Sequence, residues 1–418
     1  MLHSTFLSLA LVPLLLSTAS TRATQLSNRA GDGDDPEEVI KDSELLSLHR
    51  KISEIESISN TEQRVGEFLV EYLQSHDFTV EKQEVAFDDG TEGDPNNPRF
   101  NIIAYPSGGD FDVDVFLNTH IDTVPPHIPY EVTANKTTNK REDIFISGRG
   151  TVDAKAGVAA LTIAAIQYRA DNPDAKIGLL FTVGEENSGI GIRTFSDSDF
   201  NPDPTPYKAF IFAEPTESKL ASGHKGGLGF TVNVTGVAGH SGYPWLYESA
   251  VSAALPVLSR LDTLDSDLPT SEKFGESTLN IGTIHAGVAG NVIPSSLVAQ
   301  STIRIAGGTP EEIEKIVRRA VKKVLKKNEI DEDRVQLTFR PGSTPVDLDY
   351  DVDGFDVEVM HYGTDISKLE IKGGPKVKRY LFGPGSITVA HSEVEGLTVG
   401  ELEDSVGAYK RLIDAALA

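Results

Sequence analysis

The chain has 418 residues, 39% hydrophobic and 24% charged, which is enough apolar material for buried cores in two or three domains and too much for a disordered or fibrous chain. Its formal net charge of -25 argues against nucleic acid and anionic membranes as partners. Cysteine is absent, so a disulfide framework, a thiolate metal site and a Cys nucleophile are all excluded.

At the N-terminus, Phe6 to Leu16 is an apolar run followed by small residues, STASTRA. Residues 1–23 therefore read as a signal peptide cleaved after Ala19 or Ala23, although no Lys or Arg precedes the run. The run falls short of the roughly 20 residues that span a bilayer, and no later stretch is longer, so a secreted, extracellular protein is expected. Residues 24–42, which include GDGDDPEE, read as a disordered linker or propeptide. In a secreted chain, two N-x-Thr triplets make Asn135 and Asn233 candidate glycosylation sites.

Residues 43–77 are helical by pattern, with Thr61-Glu62-Gln63 opening a helix whose apolar positions include Val65, Phe68, Leu69 and Leu73. Three short apolar runs follow: DVFLNT from 114, KIGLLFTV from 176 and KAFIFA from 208. Continuous apolar runs suit strands buried on both faces, and an Ala- and Leu-rich helix from Lys155 to Ala170 separates the first two. Strands alternating with helices predict an α/β fold with a mixed, mostly parallel sheet sandwiched by helices.

The pattern changes near Gly226. LGFTVNVT (228–235) alternates like a half-exposed strand, an amphipathic stretch runs from Tyr247 to Leu261, and strands fit Leu279–Ile284 and Val298–Ile305. Pro310 then opens a helix, with Glu311, Glu312 and Glu314 near its positive end. The basic residues further along that helix (Arg318, Arg319, Lys322, Lys323, Lys326, Lys327) read as a solvated face. Residues 226–342 are thus expected to form an inserted α+β lid or dimerisation domain, ferredoxin-like in its strand and helix order. It splits a catalytic domain into 43–225 and 343–418, the second part ending in a helix from Val399 to Leu417.

The chemistry-bearing residues fall at the ends of the predicted strands. His120 and Asp122 follow DVFLNT, Glu185 and Glu186 follow KIGLLFTV through Gly184, Glu214 follows KAFIFA, and Asp153 precedes the Lys155 helix. Ligands of open α/β sheets bind beyond the carboxyl ends of the strands. Taken singly, each residue has an ordinary reading: a structural histidine, a solvated acid pair, a capping acid. Together with His391 in the C-terminal AHSEVE they form an imidazole and carboxylate set without thiolate, which suits zinc, and five such donors suffice for a pair of ions.

These segments resemble the M20 family of zinc metallopeptidases, in its carboxypeptidase and aminoacylase branch. The resemblance rests on NTHIDTVPP (118–126), GRGTVDAKAG (148–157), TVGEENSGIG (182–191), FAEPTES (212–218), GHSGYP (239–244), GNVIP (290–294), GTD (363–365) and the C-terminal FGPG and AHSEVE, and it covers nearly everything after residue 45. It implies two zinc ions per subunit, bridged by Asp153, with His120 and Glu214 completing one site and Glu186 and His391 the other. It also implies Glu185 as general base, Asp122 orienting His120, and His240 polarising the scissile carbonyl from an inserted domain that forms homodimers. Asn291 and Arg304 would hold the substrate carboxylate. Ala156, Thr302 and Val394 depart from the family pattern; the change at Thr302 touches the expected role of Arg304. The expected activity is a secreted carboxypeptidase acting on peptides. The rival readings are an aminoacylase acting on N-acyl amino acids through the same centre, and an inactive peptide- or metal-binding relative.

Overall fold

The computed structural model describes residues 35–87, 98–134, 140–373 and 376–418. The expected signal peptide and the Asn135 triplet lie outside the described residues.

A six-stranded sheet organises the larger unit, in the order Phe78–Glu84, Phe100–Pro106, Ile177–Thr182, Val115–His120, Ala209–Ala213, Lys378–Phe382. The last four strands run parallel and the first two pair antiparallel, so the sheet is mixed and mostly parallel. The three apolar runs are buried along their whole length. Their side chains alternate between two apolar layers. Val115, Leu117, Leu179 and Ile211 face a core built with the helices Glu44–Glu54, Lys155–Asp171 and Val399–Leu417. Phe116, Leu180 and Phe210 face a second core with Ile192, Phe195 and Tyr207. The Lys155–Asp171 helix is buried on nearly every side over its first eleven residues, which accounts for its run of Ala and Gly in place of a single apolar stripe.

The ordered chain reaches further back than the sequence reading placed it. Residues 36–42, read as linker, form the helix Pro36–Asp42. Asp35 caps it through Glu37 N, Pro36 occupies the first turn, Glu37 and Glu38 sit at its positive end, and Val39 and Ile40 are buried in the main core. The acidic DDPEE is a helix start, in which the same letters that signal disorder serve as cap and dipole partners.

Gly226 to Phe339 builds a separate antiparallel sheet, ordered Thr278–Ala286, Ser296–Ile305, Gly226–Thr235, Val335–Phe339. The helices Ala250–Leu261 and Pro310–Lys327 cover one face through their own core of Phe230, Val232, Val257, Leu261, Ile313 and Val317. Strict alternation of buried and half-buried residues along Gly226–Thr235 follows from burial on one face only, and it leaves Asn233 on the half-buried face. Thr309 and Glu312 form a capping box at the start of the second helix. Its Arg318 and Lys322 are exposed and pair with Glu314 and Glu332.

Ile40→Ala is expected to destabilise the chain by about 2–4 kcal/mol, the cost of a buried cavity. Urea unfolding measures this, and an unchanged midpoint would mean that the Pro36–Asp42 helix contributes nothing to the core.

Candidate metal centre

Three neighbouring strand ends and two loops deliver the polar side chains to one place. His120 is the last residue of its strand, Glu185 and Glu186 lie on the turn after Ile177–Thr182, and Glu214 directly follows Ala209–Ala213. The loop before the Lys155 helix carries Asp153, and the loop after Lys378–Phe382 carries His391.

Asp153 stands at the centre. Its Oδ1 lies 3.1 Å from His120 Nε2 and its Oδ2 3.3 Å from His391 Nε2. Glu214 approaches His120 Nε2 at 3.7 Å, and Glu186 approaches His391 Nε2 at 3.1 Å. One ligand atom each from His120, Asp153 and Glu186 lies within 4.8 Å of the others, and such a set of imidazole and carboxylates fits a divalent cation. All five expected ligands are therefore gathered. His391 is half exposed while the other four are largely buried, so the cluster opens to solvent on the His391 side.

Asp122 does more than its sequence position implied. His120 Nδ1 is held at 3.0 Å by the backbone carbonyl of Asp122, with the carboxylate further off at 3.5 Å. The carboxylate also accepts from Glu185 N at 3.1 Å, Glu186 N at 3.3 Å and Ser59 Oγ at 2.7 Å. Its main work is to fix the turn that carries the two glutamates.

Protonation reflects the crowding. Burial, with Asp153 and Glu186 adding to it, pushes Glu214 up to about 7 against the pull of His120. Burial lifts Glu185 well above the carboxylate range, with Lys368 opposing and Asp365 adding. Burial and Asp153 raise Glu186 too. His391 rises to about 10 through its bonds to Asp153 and Glu186. His120 also rises, because Glu214, Asp122 and Asp153 outweigh a burial that would lower it. Against the effect of burial, the two imidazoles hold Asp153 below its ordinary range. Protons on the imidazoles thus stand where divalent cations would balance the same carboxylates.

Sequence reasoning missed the supports of this cluster. Glu395, 1% exposed, accepts from Val152 N and Asp153 N at 3.2 Å each and pairs with Arg149 at 2.5 Å. Arg149 also donates to the carbonyls of Pro126, His391 and Ser392, tying three loops together. This matters most at His391, whose φ of 64° is a left-handed conformation that a residue with a Cβ rarely holds unaided. Both supporting residues stand inside the quoted motifs GRGTVDAKAG and AHSEVE, next to the ligands.

The remaining expected residues lie on the inserted unit. His240 and Asn291 come together where Gly239–His240 pairs with Val292–Ile293 and Ser241 N donates to Asn291 O at 3.1 Å. Both are exposed, and among the described residues no hydrogen bond or ion pair joins them to the cluster. Arg304 sits at the root of the insertion beside Gly363, and its guanidinium has no hydrogen-bond or ion-pair partner among the described residues.

Comparison with known proteins agrees with this architecture. The model of the peptidase dimerisation domain matches residues 222–329. A probable carboxypeptidase of Ajellomyces dermatitidis is 49% identical over 414 residues, covering 96% of this chain and 93% of the relative. The crystal structure of the M20 family metallo-carboxypeptidase Sso-CP2 from Sulfolobus solfataricus is similar with a TM-score of 0.64 at 14% identity, covering 90% of this chain and 99% of that one. The dipeptidase Dug1p of Saccharomyces cerevisiae reaches a TM-score of 0.70 at 14% identity, over 91% and 96% of the two chains. The chain belongs to the M20 family of metallopeptidases.

Two outcomes are expected. Because His120 and His391, and Glu214 below about pH 7, must lose protons to bind a cation, affinity for zinc rises with pH between about 6 and 9; competition with a chelator reads it, and a flat profile contradicts it. Glu395→Gln weakens metal affinity by about 10- to 100-fold, as loss of a support to a ligand does, while the fold persists by circular dichroism.

Proposed function

We propose that the chain is a secreted carboxypeptidase that holds two zinc ions and removes C-terminal residues from peptides. The observation that carries the reading is the placement of Asp153: each of its carboxylate oxygens faces a different imidazole, and each imidazole faces a further glutamate. That divides the five donors into two overlapping sets, His120 with Glu214 and His391 with Glu186, sharing Asp153. Zinc bound in such sets supplies Lewis-acid polarisation and acidifies water.

Glu185 is the general base on this reading. Burial raises its proton affinity well above that of an ordinary carboxylate, which suits a group that takes a proton from water and returns it to the leaving nitrogen. Asp122 holds the Glu185 amide and so fixes where that carboxyl group stands. The unpartnered Arg304 offers a bidentate seat for a terminal carboxylate, with Asn291 as the second contact. His240 supplies a hydrogen bond to the developing oxyanion. Tyr243, Trp245, Leu246, Leu255, Ile284 and Val288 are exposed apolar residues on the insertion, and they support a homodimer formed through it. The relatives named probable carboxypeptidase favour this substrate class over N-acyl amino acids.

Purified protein assayed on N-blocked dipeptides beside N-acetyl amino acids tests the substrate: faster hydrolysis of the dipeptides is expected, and a preference of orders of magnitude for the acetylated compounds would reject the proposal. Metal analysis should give two zinc ions per chain, with activity lost on chelation. Glu185→Ala should lower kcat by about 10²- to 10⁴-fold with metal content unchanged; a variant that stays active removes Glu185 from its role.

A further inference from the structure

We propose that Arg99, buried behind the glutamate-bearing turn and paired with Glu62, is a positioning residue whose guanidinium sets the backbone at Gly184 and thereby the place of the Glu185 carboxylate. The inference rests on the reading of Glu185 as general base.

Arg99 and Glu62 are each 1% exposed and pair through Nη2 and Oε1 at 2.9 Å. A pair so deeply buried adds little net stability, since its attraction mostly offsets the loss of water around both charges. This one is also incompletely satisfied: Arg99 Nε and Glu62 Oε2 have no partner among the described residues. An apolar pair of similar volume would fill the space without those orphan atoms, so the arrangement points to a requirement of geometry.

The surroundings show what is fixed. The Arg99 guanidinium occupies the space where a Cβ on residue 184 would stand, and Gly184 has a φ of +72°, the left-handed region that glycine adopts freely. Nη1 donates to Asn60 Oδ1 at 2.6 Å, and Asn60 itself has a φ of 77°. The preceding residue, Ser59, donates to Asp122 Oδ2, and Asp122 accepts from the amides of Glu185 and Glu186. The turn is therefore gripped from two sides. Asp122 holds two of its amides, and the Nη2 end of Arg99 abuts Gly184. Asn60 and Ser59 connect the two grips through adjacent positions.

A lysine keeps the charge for Glu62 but lacks the planar fork that spans Glu62, Asn60 and Gly184. In Arg99→Lys we expect kcat to fall about tenfold or more, since sub-ångström misplacement of a reacting group carries such a cost. KM, bound metal and melting temperature should stay near wild type, because Arg99 touches neither substrate nor ligand. Gly184→Ala should lower kcat in the wild-type background and cost much less in the Arg99→Lys background, where the flexible lysine can withdraw from the new methyl group. A role in stability alone would move the melting temperature and leave kcat of the folded fraction intact. Wild-type kcat in Arg99→Lys, or additive effects of the two substitutions, would overturn the proposal. Glu185→Ala assayed in parallel separates the two ideas: if it stays active the reading of the base fails, and if it is inactive while Arg99→Lys is normal only the inference about Arg99 fails.

Discussion

Carboxylates repel one another most where water is scarce, and this fold packs Asp122, Asp153, Glu185, Glu186, Glu214 and Asp365 around the carboxyl ends of adjoining strands. In a low-dielectric cleft they cannot all be ionised without compensating cations. The protein itself supplies three that face them closely, His120, His391 and Lys368. The raised values of Glu185 and Glu214, and of both imidazoles, are the response to that shortage: protons fill places that divalent charge would fill better. The centre is in this sense an unfavourable arrangement held by the remainder of the fold, and metal binding is the event that relieves it.

What holds it is a set of groups that never face the cleft. Burial on both faces fixes the parallel strands, so His120 and Glu214 have little freedom in where they emerge. The loops have no such restraint and are fastened by buried charges: Arg149 and Glu395 tie the Asp153 loop to the His391 loop, and Arg99 and Glu62 lie behind the Glu185 turn. Arg149 and Glu395 spend their hydrogen bonds on backbone and on each other, which leaves the ligand side chains free toward the cation site.

The parts of this design that were legible in the sequence are those with a local pattern. A strand buried on both faces writes itself as an unbroken apolar run, and the polar residue ending each run, His120, Glu185 or Glu214, marks the sheet's carboxyl edge. The insertion announces itself because burial on one face turns continuous apolar runs into the alternation seen from Leu228 to Thr235. The supports were not legible, because their partners are distant: Arg149 meets Glu395 across 246 positions and Arg99 meets Glu62 across 37. Nor does adjacency in sequence give direction in space. Asp122 is two residues from His120, yet its carbonyl makes the shorter contact to the ring and its carboxylate also accepts from the amides after the next strand. Residues 36–42 misled for a different reason: an acidic stretch with Asp before Pro describes both a solvated tail and a capped helix, and the two buried residues, Val39 and Ile40, decide between them.

The division between the two units bears on how the proposed chemistry is gated. Donors for the cations and the proposed base all belong to the larger unit, whereas His240 and Asn291 sit on an exposed two-strand ladder of the insertion. Arg304 is the second-to-last residue of the Ser296–Ile305 strand and lies beside Gly363, whose loop continues to Asp365 and its bond from Thr182 at 3.3 Å. Thr182 is the register partner of His120. A carboxylate seated on Arg304 would therefore lie beside the loop that Asp365 ties to the metal-bearing strands, while the proposed oxyanion contact would come from an exposed ladder of the insertion. On the proposed roles, binding of the terminal carboxylate and assembly of the oxyanion contact would be separable events, and substrates that satisfy only the first would be held without being cut.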